Sequence, residues 1–335
     1  MKAMSFMPSV LTLLAALLPA MSLAQAPQRA ITQIAENLYW AENAGHRAAF
    51  LVTDEGVILV DTINAEFSQW LRGQIQERFG VPVRYVLYSH HHWDHASGGA
   101  VFADTARFVG HENMPAYLEM PPANTRLPDQ MAAMDGNRDG GIQASEATGN
   151  VADSFDLYDA DRNGVISGAE AVRGPLSEVR APDLTFKDRM TVTLGGAEAE
   201  IIHIGRMAHT NDMSIVVFPA QRAVFVVDFI SLGRLPFQRL VDGQLNAWLN
   251  AIRAVEMLDV DIVAPGHGVV GNLDDVVAHR HYIEELRDLV AAGIERGATL
   301  AELQEEIQMA PYQNWISYAQ WRAMNVEGMY RILTQ

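Results

Sequence analysis

The chain has no cysteine among its 335 residues. This excludes disulfides, thiolate metal ligands and a cysteine nucleophile, and leaves stability to a packed core and to metals. After the N-terminal segment it also lacks any apolar run long enough to span a bilayer. Positive charge is scarce: 24 Lys and Arg against 41 Asp and Glu give a formal net charge of −17. So acidic a chain is a poor partner for a phosphate backbone, and no nucleic-acid partner is expected.

The first 24 residues stand apart. Lys2 precedes the apolar and small run Val10–Leu18, broken only by Thr12, and Ser22 and Ala24 occupy small-residue cleavage positions. This predicts a secretory signal over residues 1–24, a mature start at Gln25, and a periplasmic or secreted protein with no membrane contact after cleavage. The remainder, in a chain 49% hydrophobic and 19% charged, can bury a sizeable core.

Ala48–Val52 and Gly56–Asp61 read as strands about a turn. Phe67, Trp70, Leu71, Ile75 and Phe79 share one helical face that Gly80 ends, and Val83–Tyr88 is a buried strand. The second half predicts strands at 190–194, 199–204, 213–218, 223–227 and 261–264, with helices at about 245–258 and 274–296. Two strand-rich halves flanked by helices indicate a four-layer αββα sandwich of the α/β class. Residues 121–180, rich in Asp, Asn, Gly, Ala and Pro and without an evident sheet strand, interrupt this pattern as an insert.

The segment Ser89-His90-His91-His92-Trp93-Asp94-His95 closes a buried strand. His90 and His92 alternate on an extended backbone and point the same way. Imidazoles and a carboxylate gathered there suit zinc or a similar divalent ion. Further along come Ala208-His209-Thr210, Asp228 at the end of strand 223–227, and Pro265-Gly266-His267-Gly268. His90-x-His92-x-Asp94-His95 and these later motifs, in this order, resemble the metallo-β-lactamase superfamily, and the first string is especially similar to its glyoxalase II branch. The resemblance runs over about 31–120 and 181–270 and implies the αββα fold for a catalytic domain of residues 25–120 and 181–335.

The resemblance implies two Zn2+, or Fe or Mn, per chain. His90, His92 and His209 would hold one, Asp94, His95 and His267 the other, with Asp228 bridging and Asp61 supporting from behind. Two such cations lower the pKa of a bridging water toward neutrality, and the hydroxide attacks a small-molecule substrate while Asp94 orients it and moves its proton. Asp228 favours ester, thioester and lactone chemistry over a dedicated lactamase, although a lactam stays within the class. The glyoxalase II text around the bridging aspartate is absent, since Asp228-Phe229-Ile230-Ser231-Leu232-Gly233 stands there. A phosphodiesterase or an iron oxygenase on the same fold, and a non-catalytic calcium-stabilised binding protein, are the alternatives; metal content and turnover separate them. Arg47, beside His46, is either a substrate-carboxylate contact or a solvated turn. His91 is expected inside the fold and Trp93 near the site's rim. His111, His203, His279 and His281 have no partner motif and read as structural or surface residues, and Tyr312, Trp315, Tyr318 and Trp321 as a packing face.

Within the insert, Asp135, Asn137, Asp139, the Gly141 carbonyl and Glu146 take the oxygen positions of a twelve-residue calcium loop. Asp159, Asp161, Asn163, the Val165 carbonyl and Glu170 repeat them. Ile142 and Ile166 both fall at position eight, where paired loops join in a short β-bridge. This resembles the EF-hand family closely over 131–171 and implies up to two Ca2+ in a small α-helical pair with a short connecting helix. Its place between the catalytic halves suggests that calcium orders a lid over the metal site.

Overall fold

The computed structural model describes residues 28–205, 209–240 and 244–334; the predicted signal, Gln25 and Ala208 lie outside them. The strands are β1 Arg29–Ala35, β2 Leu38–Asn43, β3 His46–Thr53, β4 Gly56–Val60, β5 Val83–Leu87, β6 Arg107–His111 and β7 Gly141–Gln143. They continue as β8 Val165–Ser167, β9 Leu184–Phe186, β10 Arg189–Leu194, β11 Ala197–His203, β12 Ser214–Phe218, β13 Ala223–Val226 and β14 Ile262–Pro265. One sheet runs β1-β2-β3-β4-β5-β6-β9 and the second β10-β11-β12-β13-β14.

Each sheet is antiparallel at its start and parallel at its end. β4 reads Gly-Val-Ile-Leu-Val and is buried throughout, as a strand covered on both faces must be. Its alternate side chains serve two cores. Leu59 joins Phe50, Val86 and Phe108 under Phe67, Leu71 and Ile75 of helix Ala65–Phe79. Ile58 and Val60 join Leu51, Leu87 and Val109 against Ile201, Val216 and Phe225 of the second sheet. A third core sits between that sheet and helices Leu245–Glu256, Leu273–Glu295 and Tyr318–Thr334. Helix, sheet, sheet and helix thus stack in four layers, as the sequence pattern indicates. Each fully buried Leu, Ile or Phe contributes about 1.5–3 kcal/mol.

Asn64 caps helix Ala65–Phe79 by accepting from the Phe67 N–H at 2.8 Å, and Gly80 ends it in the left-handed region. The insert leaves after β6 and returns at β9, which pairs parallel with β6 through Val109↔Leu184 and His111↔Phe186. Sequence pattern alone did not reveal β9, a three-residue strand whose partner lies across the insert. The insert is not strand-free: β7 and β8 pair antiparallel with Ile142 opposite Ile166. Two short helices, Gly149–Asp153 and Phe155–Tyr158, replace the expected single connecting helix. Ile142, Ile166, Met131 and Val151 form its own small core. No described helix is long and apolar enough to cross a membrane.

Candidate metal centre

The predicted site residues come together at the carboxyl ends of the central strands. His90 and His92 follow β5, Asp94 and His95 lie on the short helix Trp93–Ala96, His209 is in the loop after β11, and Asp228 and His267 are each two residues beyond β13 and β14. Asp228 sits in the left-handed region at φ 60°, which costs a non-glycine residue of order 1–3 kcal/mol and marks a position the fold holds for a purpose. Gly268 follows His267 at φ 102°, where a Cβ would strike the Leu232 backbone.

Five imidazoles surround the Asp228 carboxylate, divided between its two oxygens. Oδ2 lies 2.8 Å from His209 Nε2, 3.2 Å from His90 Nε2 and 4.0 Å from His92 Nδ1. Oδ1 lies 3.1 Å from both His95 Nε2 and His267 Nε2. Asp94 Oδ2 adds a carboxylate to the second group, 3.5 Å from His95 and 4.0 Å from His267.

These atoms face a common centre more than one another. His90 Nε2, His209 Nε2 and Asp228 Oδ1 are buried at ion-pair distances yet lack a well-formed hydrogen bond. Orphaned buried polar atoms are costly unless something pairs with them. His90, His92, His209 and Asp228 form one group whose donor atoms lie within 4.8 Å of each other, and His95, Asp228 and His267 form a second. All-nitrogen-and-oxygen sets of this kind fit divalent cations.

The surroundings fix the tautomers. The Ser89 hydroxyl donates to Asp61 Oδ2 at 2.7 Å, so His90 Nδ1, 3.0 Å from that hydroxyl, must donate to it. His90 Nε2 is then left with a lone pair. Asp61, itself at φ 61°, also accepts the Ser89 N–H at 2.9 Å and stands 3.6 Å from His95 Nδ1. Burial pushes the Asp61 carboxyl up to about 7 against the pull of His95 and Ser89. Burial lowers His90 to about 4 and depresses His92 and His267 too. His95 goes the other way, to about 10: burial opposes charging, but Asp228 and Asp94 prevail. Both carboxylates are held ionised against burial, chiefly by His95. Ionised carboxylates and mostly neutral imidazoles are the protonation states that metal binding needs.

His46 is drawn into the centre: its Nε2 is 3.2 Å from Asp94 Oδ2, and His46, Asp94 and His267 form a third close donor group. As a single residue in a turn it carried no spacing signal. Arg47 is neither a solvated turn residue nor free for a substrate. It pairs with Glu42 at 2.6 Å, donates to the Ala44 carbonyl at 2.8 Å and lies over Trp40. His91 is buried, bonded to Asp212 at 2.9 Å and stacked on Tyr117, and Trp93 is half-buried. His111 and His203 stack across the two sheets and bond to the Lys187 and Met213 carbonyls. His279 is buried, while His281 is on the surface. Tyr312, Trp315, Tyr318 and Trp321 pack against the third core.

The two insert loops share one hydrogen-bond pattern. Asp135 accepts the N–H groups of Asp139 and Gly140, as Asp159 accepts those of Asn163 and Gly164. Glu146 accepts from Gly136, Asn137 and Gln143, and Glu170 from Ala160, Asp161 and Ser167. Asn137 and Asp161 accept the N–H of Asp139 and Asn163, and Asp139 and Asn163 accept those of Gly141 and Val165. Asp159, Asp161 and Glu170 are close enough to hold one cation together. The borders of the insert reach the histidine motif and the residues just after it: Tyr117, just before the insert, stacks on His91, while at its far end the Glu178 carbonyl accepts the Gly98 N–H at 3.1 Å and Val179 bridges to Ser97.

Comparison with known proteins places these features in context. Residues 43–267 match the model of the metallo-β-lactamase superfamily. A linear primary-alkylsulfatase of Pseudomonas sp. (strain ATCC 19151) is 23% identical over 275 residues, covering 77% of this chain and 49% of the relative. The alpha subunit of a 2,4-dinitroanisole O-demethylase of Nocardioides sp. (strain JS1661) is 27% identical over 217 residues, covering 64% and 50%. The chain thus spans about half the length of the curated relatives it matches. Among solved structures, an inverting sec-alkylsulfatase of Pseudomonas sp. shares the fold at a TM-score of 0.60 and 17% identity, over 90% of this chain and 50% of that one. A metallo-β-lactamase from Pontibacter korlensis shares it at 0.52 and 19%, over 77% and 99%.

Proposed function

The chain belongs to the metallo-β-lactamase superfamily, and from that membership we propose that it is a binuclear-metal hydrolase of a small organic ester. The observation that carries this is the division of Asp228 between two imidazole groups, Oδ2 toward His90, His92 and His209, Oδ1 toward His95 and His267. His90, His92, His209 and Asp228 would hold one cation; Asp94, His95, His267 and Asp228 the other. When bound, such a pair activates water at neutral pH and polarises the substrate oxygen. Asp94 Oδ2, kept ionised beside His46 and His95, would accept a proton from the attacking water and return it to the leaving oxygen. Among the ester, thioester, lactone and lactam bonds open to this chemistry, the names of the two alkylsulfatases favour an oxygen ester, sulfate esters included, whereas the O-demethylase is named for an aryl methyl ether.

The insert would take up to two Ca2+, one per loop, through Asp135, Asn137, Asp139, Gly141 and Glu146, and through Asp159, Asp161, Asn163, Val165 and Glu170. The stack of Tyr117 on His91 and the contacts of Glu178 and Val179 with Gly98 and Ser97, just past helix Trp93–Ala96, would give bound calcium a route to stiffen that helix. Export through residues 1–24 is tested by sequencing the mature N-terminus.

The experiment for the hydrolase reading is elemental analysis of the purified protein with a chromogenic panel: carboxylic ester, thioester, lactone, cephalosporin, phosphodiester and aryl sulfate. About two transition-metal ions per chain with turnover of one ester class supports it. Calcium alone with no turnover overturns it and promotes the binding-protein reading.

A further inference from the structure

The loop that follows Asp228 carries an arginine with no anionic partner among the described residues. Arg234 is half-buried, and its guanidinium makes no hydrogen bond or ion pair with a described residue. It lies over the face of Trp321, 4.6 Å from the ring centroid. Most other arginines placed near carboxylates are paired: Arg47 with Glu42, Arg222 with Asp259 and Asp261, Arg280 with Glu256 and Glu284. A half-desolvated guanidinium with five donors and no acceptor among the described residues is an unmet recognition element.

Its position is fixed from both sides. The Gly233 carbonyl accepts the Ile316 N–H at 2.8 Å and the Leu235 N–H donates to the Ile316 carbonyl at 3.1 Å. One step earlier, Leu232 accepts the Val269 N–H at 3.1 Å, tying the loop to the segment that carries His267. The guanidinium is near enough to the metal centre for its charge to act on Asp228, Asp94 and His267. Three of the exposed large apolar residues flank it in these same segments: Val269, Phe237 and Ile316, each 48–49% exposed. Phe237 meets Trp321 edge to face, so ring, ring and guanidinium form one cluster. The arrangement offers a fork for an anion and an apolar rim beside it.

We propose that Arg234 binds the anionic group of the substrate and that the Phe237, Val269 and Ile316 rim takes an apolar tail, making the substrate class amphiphilic organic anions such as alkyl sulfate esters. This rests on the hydrolase reading for its chemistry, but not for its binding. A bidentate guanidinium pair with a sulfate, phosphate or carboxylate is charge-assisted and geometrically selective. It would orient the ester against the metal centre while the tail lies on the rim.

The test is calorimetric titration of the metal-loaded full chain with octanesulfonate, methanesulfonate and 1-octanol. The wild type should bind octanesulfonate at least 10-fold more tightly than either of the other two. In Arg234→Gln its Kd should rise at least 10-fold, equivalent to 1.4 kcal/mol, with the metal content retained. Arg234→Lys, which keeps charge but loses the fork, should fall between and serves if the glutamine variant does not fold. Phe237→Ala should weaken octanesulfonate and leave methanesulfonate within twofold. Equal binding of octanesulfonate and octanol by the wild type, or an Arg234→Gln Kd within twofold of it, overturns the proposal. Arg234-dependent sulfonate binding in a protein that hydrolyses no ester would overturn the hydrolase reading alone. Ester hydrolysis without any sulfonate binding would overturn the anion site alone.

Discussion

His267 Nδ1 donates to the Gly45 carbonyl across 2.8 Å, joining residues 222 positions apart in the chain. The carbonyl can only accept, so Nδ1 holds the proton and Nε2 presents its lone pair toward Asp228 and His95. The same β2–β3 turn brings His46 Nε2 to 3.2 Å from Asp94 Oδ2. The turn of the β2–β3 hairpin thereby orients two groups of the proposed second cation site.

His46→Ala should therefore loosen the second cation and spare the first. Outer-sphere partners of ligands are typically worth about 10–100-fold in metal affinity. Stepwise chelator titration of the loaded protein should show one cation leaving at about tenfold lower chelator and the other unmoved. Superimposable curves for parent and variant would remove His46 from the centre.

Asp228→Asn keeps the shape of the side chain and removes the charge shared by the two imidazole groups. The variant should retain at most one tightly held transition metal and lose about a hundredfold or more in turnover. Far-ultraviolet circular dichroism should stay native, because Asp228 sits at the rim of the sheet and not among its core residues. Two retained metals with turnover within tenfold of the parent would refute the bridging role.

Much of the centre was legible because its residues are spaced by the backbone that carries them: His90, His92, Asp94 and His95 lie on one strand end and the helix after it. Arg234 was not legible, and of His46 only the turn that carries it stood out, since each is a lone side chain brought in by a distant pairing, through Gly233–Ile316 and Gly45–His267. Arg47 falls between. Its pairing with Glu42 follows from the hairpin register Glu42↔Arg47, which the two-residue turn at Ala44-Gly45 sets. β9 was hidden because its three residues gain their meaning from β6 alone.

The calcium loops yield a stability prediction. Ligand bound only to the folded state contributes about 2.7 kcal/mol at a hundredfold excess over Kd. One to a few millimolar calcium should raise the melting temperature by several degrees if both loops fill, on the scale of about 1.5 °C per kcal/mol for a chain of this size. Glu146→Gln with Glu170→Gln removes both position-twelve carboxylates and should abolish the shift. An unchanged melting curve on adding calcium to the stripped parent would refute calcium binding. If calcium also stiffens helix Trp93–Ala96, its selective chelation should lower turnover in the parent and not in the double variant.

His279 supplies a pH prediction independent of metal. It is fully buried beside Trp248 and Trp315, and burial lowers it from 6.5 to about 4, with the backbone of Phe229 and Ser231 pulling weakly the other way. The unfolded chain takes up a proton near pH 6.5 that the folded one refuses until about pH 4. Proton uptake on unfolding means that stability falls as pH drops through this window. The contribution is complete above the unfolded value, is lost between the two, and changes no further below both. Its span is about 3 kcal/mol at 1.36 kcal/mol per unit. His279→Gln should lower stability at pH 7.5 through poorer packing against Trp315, yet flatten the decline between pH 6.5 and 4.5 by up to that amount. Urea unfolding of the metal-free protein and variant at several pH values measures both slopes, and subtracting them cancels the other histidines. Parallel declines would mean that His279 is protonated, or exposed, in the folded protein.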